Sequence, residues 1–282
     1  MTVRQAMERY ASMLAKAGID APQYEARLLF DGLAGLDRLR LMEQRSRELT
    51  ETEEKTMTAA VNRRCSGEPI QYILGKWEFM GREYLVGEGV LIPRDDTEVC
   101  VRACLDGLRG RKSPEVLELC SGSGIIAVTV AKNIQDSRVT AVEKEEAAFR
   151  WLEKNIAYNR AENVNALAGD IFLCYDGFAD GSFDALVSNP PYIEASVVPT
   201  LQREVLHEPK TALDGGADGL DFYRCIAEKW SGKLRAGGCI SLEIGETQSA
   251  AVTKLLDENG FVCIRTHKDI QGLDRAVSGV KL

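Results

Sequence analysis

The stretch Phe183-Asp184-Ala185-Leu186-Val187-Ser188-Asn189-Pro190-Pro191-Tyr192 decides how the rest of the chain is read. Its first half is a short, apolar, β-rich run of the kind that forms a buried strand. Its second half cannot continue that strand, because Pro190 and Pro191 lack backbone N–H groups and have a fixed φ. Carbonyls near them are left free to accept from a ligand. Asn189 adds a side-chain acceptor and an NH₂ donor, and Tyr192 adds a flat aromatic face with a polar tip. Together Asn189, Pro190, Pro191 and Tyr192 make a slot for a planar NH₂ group. Asn189 and the Pro190 carbonyl would accept its two hydrogens, and Tyr192 would cover one face. Such a slot lies at the carboxyl end of a strand, where open α/β sheets bind ligands. Alone, Asn-Pro-Pro reads as no more than a strand end followed by a rigid turn, so the neighbouring sequence has to arbitrate.

From Asp95 onward, helix and strand patterns alternate. Helices are expected over 97–108, 125–132, 147–158, 220–234 and 249–258. Strands are expected over 116–119, 139–142, 164–168, 185–187, 239–244, 262–266 and 276–280. This alternation predicts a Rossmann-like, mainly parallel seven-stranded sheet with helices on both faces, closed by an antiparallel hairpin at one edge. Residues 1–70 read differently, as a small all-helical domain. Val3, Met7, Tyr10, Leu14 and Ala17 share one face of a first helix, and Asp20 with Pro22 opens a second. Thr50-Glu51-Thr52-Glu53 is a capping box for a third, with Gly67 beyond its end. Residues 71–93 carry two alternating runs around Met80-Gly81 and read as a β-hairpin linker.

The second informative motif is Glu118-Leu119-Cys120-Ser121-Gly122-Ser123-Gly124, between the first strand and its helix. Gly122 and Gly124 let the backbone turn tightly and approach a ligand. Glu143 follows the second strand, where a carboxylate can accept from both hydroxyls of a ribose. Asp170 and Ile171 follow the third strand and offer an acid and an apolar contact to an adenine. A nucleoside cofactor across these strand ends, with the slot after the fourth, is the arrangement of an S-adenosyl-L-methionine-dependent methyltransferase.

Asn189-Pro190-Pro191-Tyr192 resembles the signature of methyltransferases that act on adenine, guanine or glutamine nitrogens. Four further segments, 63–73, 91–98, 208–213 and 269–275, are similar to segments of the release factor glutamine methyltransferases, the PrmC/HemK family. The likeness spans essentially the whole chain. The family's glycine loop usually begins with Gly where this chain has Cys120, and Glu118 and Glu143 stand where Asp is common. The resemblance implies methylation of the side-chain amide nitrogen (N5) of the glutamine in the Gly-Gly-Gln motif of peptide chain release factors. It implies a cofactor site of Glu118, Cys120, Ser121, Gly122, Ser123, Gly124, Glu143, Asp170, Ile171 and Asn189, with S-adenosyl-L-homocysteine as product. Asn189, Pro190 and Tyr192 would be the catalytic residues, and residues 1–70 would recognise the release factor.

Composition fits this reading. An apolar share of 45% and a charged share of 28% are those of an ordinary globular protein. The net charge of −8 disfavours a broad phosphate-binding surface, and with it the alternative of a methyltransferase acting on nucleic-acid adenine or guanine. A non-catalytic cofactor-binding protein is the other alternative, which the intact slot argues against. No apolar run reaches the about 18 residues of a membrane span, and residues 1–20 carry no signal-peptide core. Eight scattered cysteines without a Cys-x-x-Cys pair point to reduced thiols and no metal. A cytoplasmic monomer is expected, and neither His207 nor His267 falls at a strand end beside the slot.

Overall fold

A computed structural model describes all 282 residues. The chain divides into two compact units, Met1–Lys76 with Gln202–His207, and Trp77–Leu201 with Glu208–Leu282.

The first unit holds helices α1 (Val3–Lys16), α2 (Pro22–Ala34), α3 (Arg38–Glu43), α4 (Glu51–Cys65) and α5 (Ile70–Leu74). Helices α1 and α4 both open with reciprocal capping boxes, Thr2 with Gln5 and Thr50 with Glu53. Arg47 also grips the Glu53 carboxylate through two N–H groups, and these bonds hold its pKa down at about 2. The inward stripes carry Ala6, Tyr10, Leu14, Leu29, Phe30, Met57 and Val61 into one core. Helix α3 has no fully buried residue, so it has no apolar stripe by which the sequence would reveal it. Tyr72, Ile73 and Leu74, expected at the approach to the hairpin, instead lie in the helical turn α5.

One ion cluster crosses this unit. The Arg64 side chain is only 2% exposed and donates to both Glu25 oxygens at 2.5 and 2.9 Å, and to Glu204 at 2.6 Å. Glu204 belongs to the short segment Gln202–His207, which joins the helices although it is distant in sequence.

In the second unit, strands β1 (Lys76–Phe79) and β2 (Arg82–Leu85) form the hairpin. The larger sheet contains β3 (Glu115–Leu119), β4 (Arg138–Glu143), β5 (Val164–Ala168), β6 (Phe183–Ser188), β7 (Leu234–Glu243), β8 (Phe261–Lys268) and β9 (Asp274–Lys281) in the order β5-β4-β3-β6-β7-β9-β8. The first five are parallel neighbours, and β9 runs antiparallel between β7 and β8. Side chains alternate between two cores, one on each face. Val116 and Val187 enter one with Ile126 and Val128, and Leu117, Leu119, Leu186 and Leu242 enter the other with Trp230. The covering helices are α6 (Thr97–Gly107), α7 (Ile125–Asn133), α8 (Glu146–Tyr158), α9 (Asp221–Cys225) and α10 (Ser249–Glu258).

The helix expected over 220–234 is shorter than the pattern implied. After α9 the chain widens into a π turn at Ile226–Trp230 and tightens at Ser231–Lys233. Leu234 already pairs with Phe183 in the sheet. At the widened turn Trp230 is fully buried and donates its indole N–H to the Ile171 carbonyl at 2.9 Å. The helical spacing of Phe222, Tyr223, Ile226 and Trp230 marks the helix but not where it ends.

The Arg64 cluster yields a test of the first unit. Arg64→Met keeps most of the volume but leaves the half-enclosed Glu25 carboxylate without its partner. Removing one side of a buried pair costs about 3 kcal/mol, which chemical denaturation should register. A change within about 0.5 kcal/mol would show that the pair contributes nothing to this unit.

Candidate active site

Sheet register sets the geometry of the site. Leu167, Val142, Leu119, Ser188, Leu242 and Val277 are paired in one row across the sheet. In the parallel strands, the residues one step past that row are Ala168, Glu143, Cys120, Asn189 and Glu243. Glu143, Cys120 and Asn189, far apart in sequence, therefore arrive side by side at one edge. The buried Ser188 hydroxyl fastens the row where β6 ends, donating to the Leu119 carbonyl at 2.7 Å.

Above this edge lies a cavity of about 410 Å³, within the range of small-molecule sites. Glu118, Cys120, Ser121, Gly122, Ser123, Glu143, Asp170, Ile171, Asn189 and Pro191 line it. Gly124 follows Ser123 in the chain, and Pro190 and Tyr192 flank the lining residue Pro191. Gly124 is in the left-handed region at φ 80° and caps α7, and a Cβ there would meet Leu152 Cδ1 at 2.4 Å. A Cβ on Gly122 would meet nothing nearer than Val90 Cγ2 at 4.0 Å, so that position opens to the cavity. Cys120 also lies at positive φ, 57°. That conformation favours glycine by about 1 kcal/mol, and it accounts for the glycine usual at this place in the resembling family.

The two loop carboxylates differ in their partners. Glu143 Oε2 accepts from the Gly122 N–H and Oε1 from the Glu145 N–H, both at 2.7 Å. Burial raises its pKa, and those backbone donors oppose the rise. Each oxygen retains a lone pair for a ligand hydroxyl. Glu118 is 1% exposed and accepts from the Ala127 N–H at 3.0 Å. Burial pushes its pKa up to about 8. Asp170 accepts from the Phe172 N–H and pairs with Lys144 at 3.1 Å, while Ile171 is buried below it.

The slot residues are clamped from outside. The Asn189 NH₂ donates to the Thr97 hydroxyl at 3.3 Å, and its Oδ1 accepts no hydrogen bond within the protein. The Tyr192 hydroxyl donates to Glu243 Oε1 at 3.3 Å. Gln248 Nε2 donates to the Tyr192 carbonyl at 3.0 Å. Gly215 packs so tightly here that a Cβ would fall 2.7 Å from Tyr192 Cα and 2.8 Å from the Pro191 carbonyl oxygen. The strand-end acceptors are thus held in place by a loop some 20 residues downstream.

Several contributors were not legible as site residues. Asn155 is fully buried and ties the hairpin to the glycine loop, accepting from the Leu85 N–H and donating to the Leu85 and Ser123 carbonyls. Glu208 accepts from the Ile92 N–H at 2.9 Å and pairs with Arg94, fixing the cavity wall at 89–94. Glu208 and Arg94 belong to segments 208–213 and 91–98 singled out in the sequence, but nothing there joins them. Thr97 also lies in segment 91–98, without a role there, and Glu243 carries no motif at all. His207 lies in an exposed turn, and His267 bonds Ser278 at 2.7 Å on the β8–β9 pair.

Glu118 makes stability depend on pH. Its folded pKa of about 8 lies above the ordinary 4.5. Between those values the folded state keeps a proton that the unfolded chain has released, so stability falls as pH rises through that window. Glu118→Gln should flatten the decline in urea midpoint between about pH 5 and about pH 8. An unchanged slope would show that this carboxyl does not hold the proton.

Comparison with known proteins places this geometry. The PrmC N-terminal domain model matches residues 5–75, and the methyltransferase small domain model matches residues 94–218. The release factor glutamine methyltransferase of Geobacter sulfurreducens is 37% identical over 279 residues, covering 99% of this chain and 96% of that protein. The protein of the same name from Moorella thermoacetica is 39% identical over 256 residues, covering 90% of this chain and 89% of that one. A methyltransferase structure from Pyrococcus furiosus shares the fold alone, with a TM-score of 0.52 and 18% identity over 82% of this chain and 99% of that one. The cavity, the glycine loop and the Asn-Pro-Pro-Tyr strand end are therefore those of a chain that belongs to the release factor glutamine methyltransferase family.

Proposed function

We propose that this protein transfers a methyl group from S-adenosyl-L-methionine to the side-chain amide nitrogen of the glutamine in the Gly-Gly-Gln loop of peptide chain release factors. The observation that carries the reading is the free Asn189 Oδ1 at the wall of a cavity that also exposes Gly122 and Glu143. With one N–H of its NH₂ held by Thr97, Asn189 is oriented with its carbonyl oxygen free, an acceptor that suits an amide N–H.

The residues fit a nucleoside donor. Glu143 keeps acceptor capacity for two hydroxyls, Gly122 leaves room for close approach, and the lining is largely apolar. Asp170 and Ile171 would flank the base, and Glu118, Cys120, Ser121 and Ser123 would surround the rest. S-adenosyl-L-methionine supplies an already activated methyl group when bound. An amide nitrogen is a poor nucleophile because its lone pair is delocalised, so the protein's task is to orient it and enrich its electron density. Asn189 Oδ1 would accept one N–H and the Pro190 carbonyl the other. Tyr192, with its hydroxyl committed to Glu243, would pack beside the amide and leave its ring for contact. This direct transfer calls for no Cys or His nucleophile.

Recognition of the release factor body is assigned to the helical unit. There Leu39 and Met42 of α3 are 64% and 67% exposed, an unusual outlay of large apolar side chains on so short a helix. No helix is long and apolar enough to cross a membrane.

Three measurements bear on this reading. Asn189→Ala removes the acceptor and should lower kcat about 100-fold or more, followed by the mass of the release factor's glutamine peptide. A wild-type rate would reduce Asn189 to a turn residue. Glu143→Ala should weaken S-adenosyl-L-homocysteine binding by about 1–3 kcal/mol in calorimetry, whereas unchanged affinity would remove Glu143 from the site. The pair Leu39→Glu and Met42→Glu should raise KM for intact release factor several-fold while leaving cofactor affinity alone. An unaltered KM would take α3 out of recognition.

A further inference from the structure

Glu243 is a carboxylate with no place in the mechanism above, yet it lies at the same sheet edge. Ser188 pairs with Leu242, so Asn189 and Glu243 are the next residues on adjacent strands. Glu243 is 2% exposed. Its Oε1 accepts from the Tyr192 hydroxyl, and its Oε2 is the one buried side-chain polar atom in the structure without a hydrogen-bond partner. Buried orphan acceptors are rare enough to need a reason.

Thr97 supplies one. Its hydroxyl oxygen already accepts from the Asn189 NH₂. A hydroxyl has a single proton, and here that proton must point away from Asn189. Asn189 and Glu243 are neighbours at the sheet edge, so a Thr97 hydroxyl bonded to Asn189 also lies near the Glu243 carboxyl, whose ionised form it favours. The direction of every bond then follows from one end. Glu243 accepts from Tyr192 and offers its unpartnered Oε2 to the Thr97 proton, Thr97 accepts from Asn189, and Asn189 is left with its carbonyl oxygen facing the cavity.

We infer that Glu243 is a positioning residue for methyl transfer, acting through Thr97 and Tyr192 to present the Asn189 carbonyl oxygen, and not its NH₂, to the substrate amide. The inference rests on the reading of Asn189 given above and adds the group that sets its orientation. Catalytic hydrogen bonds commonly tighten in the bound state, and the unpartnered Glu243 Oε2 is the acceptor that such tightening would give to the Thr97 hydroxyl. The groups facing the carboxyl agree with this role. Burial pushes Glu243 up to about 7, the Thr97 and Tyr192 hydroxyls and Arg275 favour its charge, and Asp96 opposes it. Arg275 is itself anchored on Asp269 at 2.8 Å and Asp96 at 3.3 Å. Tyr223 and Cys100 also face the carboxyl, Tyr223 spending its hydroxyl on the Glu243 backbone carbonyl at 2.7 Å and Cys100 its thiol on Ser241.

Replacing Glu243 by glutamine gives the sharpest consequence. The new NH₂ would donate to Thr97, turning the Thr97 proton toward Asn189. Asn189 would then rotate and offer a donor where the substrate also has donors. Glu243→Gln should lower kcat about 10–100-fold, with KM for release factor and affinity for S-adenosyl-L-homocysteine held within about twofold. Thr97→Val should do the same by cutting the link. The double variant should be no slower than the slower single, because both act through one chain. Glu243→Asp keeps the acceptor and should retain more activity than Glu243→Gln. Wild-type kcat in either single variant, or multiplicative losses in the double, would overturn the inference. If Glu243→Gln fails to fold, Thr97→Val alone decides the question on the same criterion. Hydrogen-exchange protection of the Asn189 side-chain NH₂, read by NMR, needs no turnover. It should be present in wild type and lost in both variants, which separates failure of this inference from failure of the proposed substrate.

Discussion

Everything at the site depends on where β6 is forced to stop. Pro190 and Pro191 have no N–H to give, so the ladder ends at Ser188, with Leu119 on one side and Leu242 on the other. The same row runs on through Val142 and Leu167. Once those pairings are made, Glu143, Cys120, Asn189 and Glu243 emerge together without any further instruction. A one-residue slip would turn each of them onto a core face. The chemistry is therefore specified by strand register before any loop is placed.

What the loops add is restraint. Gly215 presses against the Pro191 carbonyl and the Tyr192 backbone, and Gln248 closes on the Tyr192 carbonyl from the other side. Glu208 and Arg94 hold the far wall, and Asn155 holds the glycine loop. A nucleophile as weak as an amide nitrogen gains from fixed acceptors more than from proton transfer, and these clamps are the means of fixing them. Cys120 shows the opposite pressure. It sits at a φ that suits glycine, yet its backbone keeps the turn the loop requires.

The alternation of apolar runs makes the parallel sheet readable, and the two motifs place the cavity at its carboxyl edge. The capping box at Thr50 and the glycine after α4 mark a helix correctly because both are local signals. The sequence is silent where the information is not local. Helix α3 has no fully buried residue and packs only Leu41 against the core, too little for a periodicity. The run over 220–234 carries helix-spaced apolar residues up to Trp230, and only the pairing of Leu234 with Phe183 shows that a strand has begun. Thr97, Asn155, Glu208 and Glu243 act through partners on other elements, and no spacing in one chain records such a meeting. Tyr192 reads in the sequence as a wall of the slot with a polar tip, and only the structure shows that this tip is spent on Glu243.

The central claim is that the free oxygen of Asn189 receives an amide N–H of a release factor glutamine. Incubating the protein with methyl-labelled S-adenosyl-L-methionine and an intact release factor, then mapping the label by tandem mass spectrometry, tests it most directly. The account predicts one methyl group, on the side-chain nitrogen of the Gly-Gly-Gln glutamine, and none when that residue is changed. Label on another residue or on a nucleic acid, or no label at all while the donor binds, would contradict it.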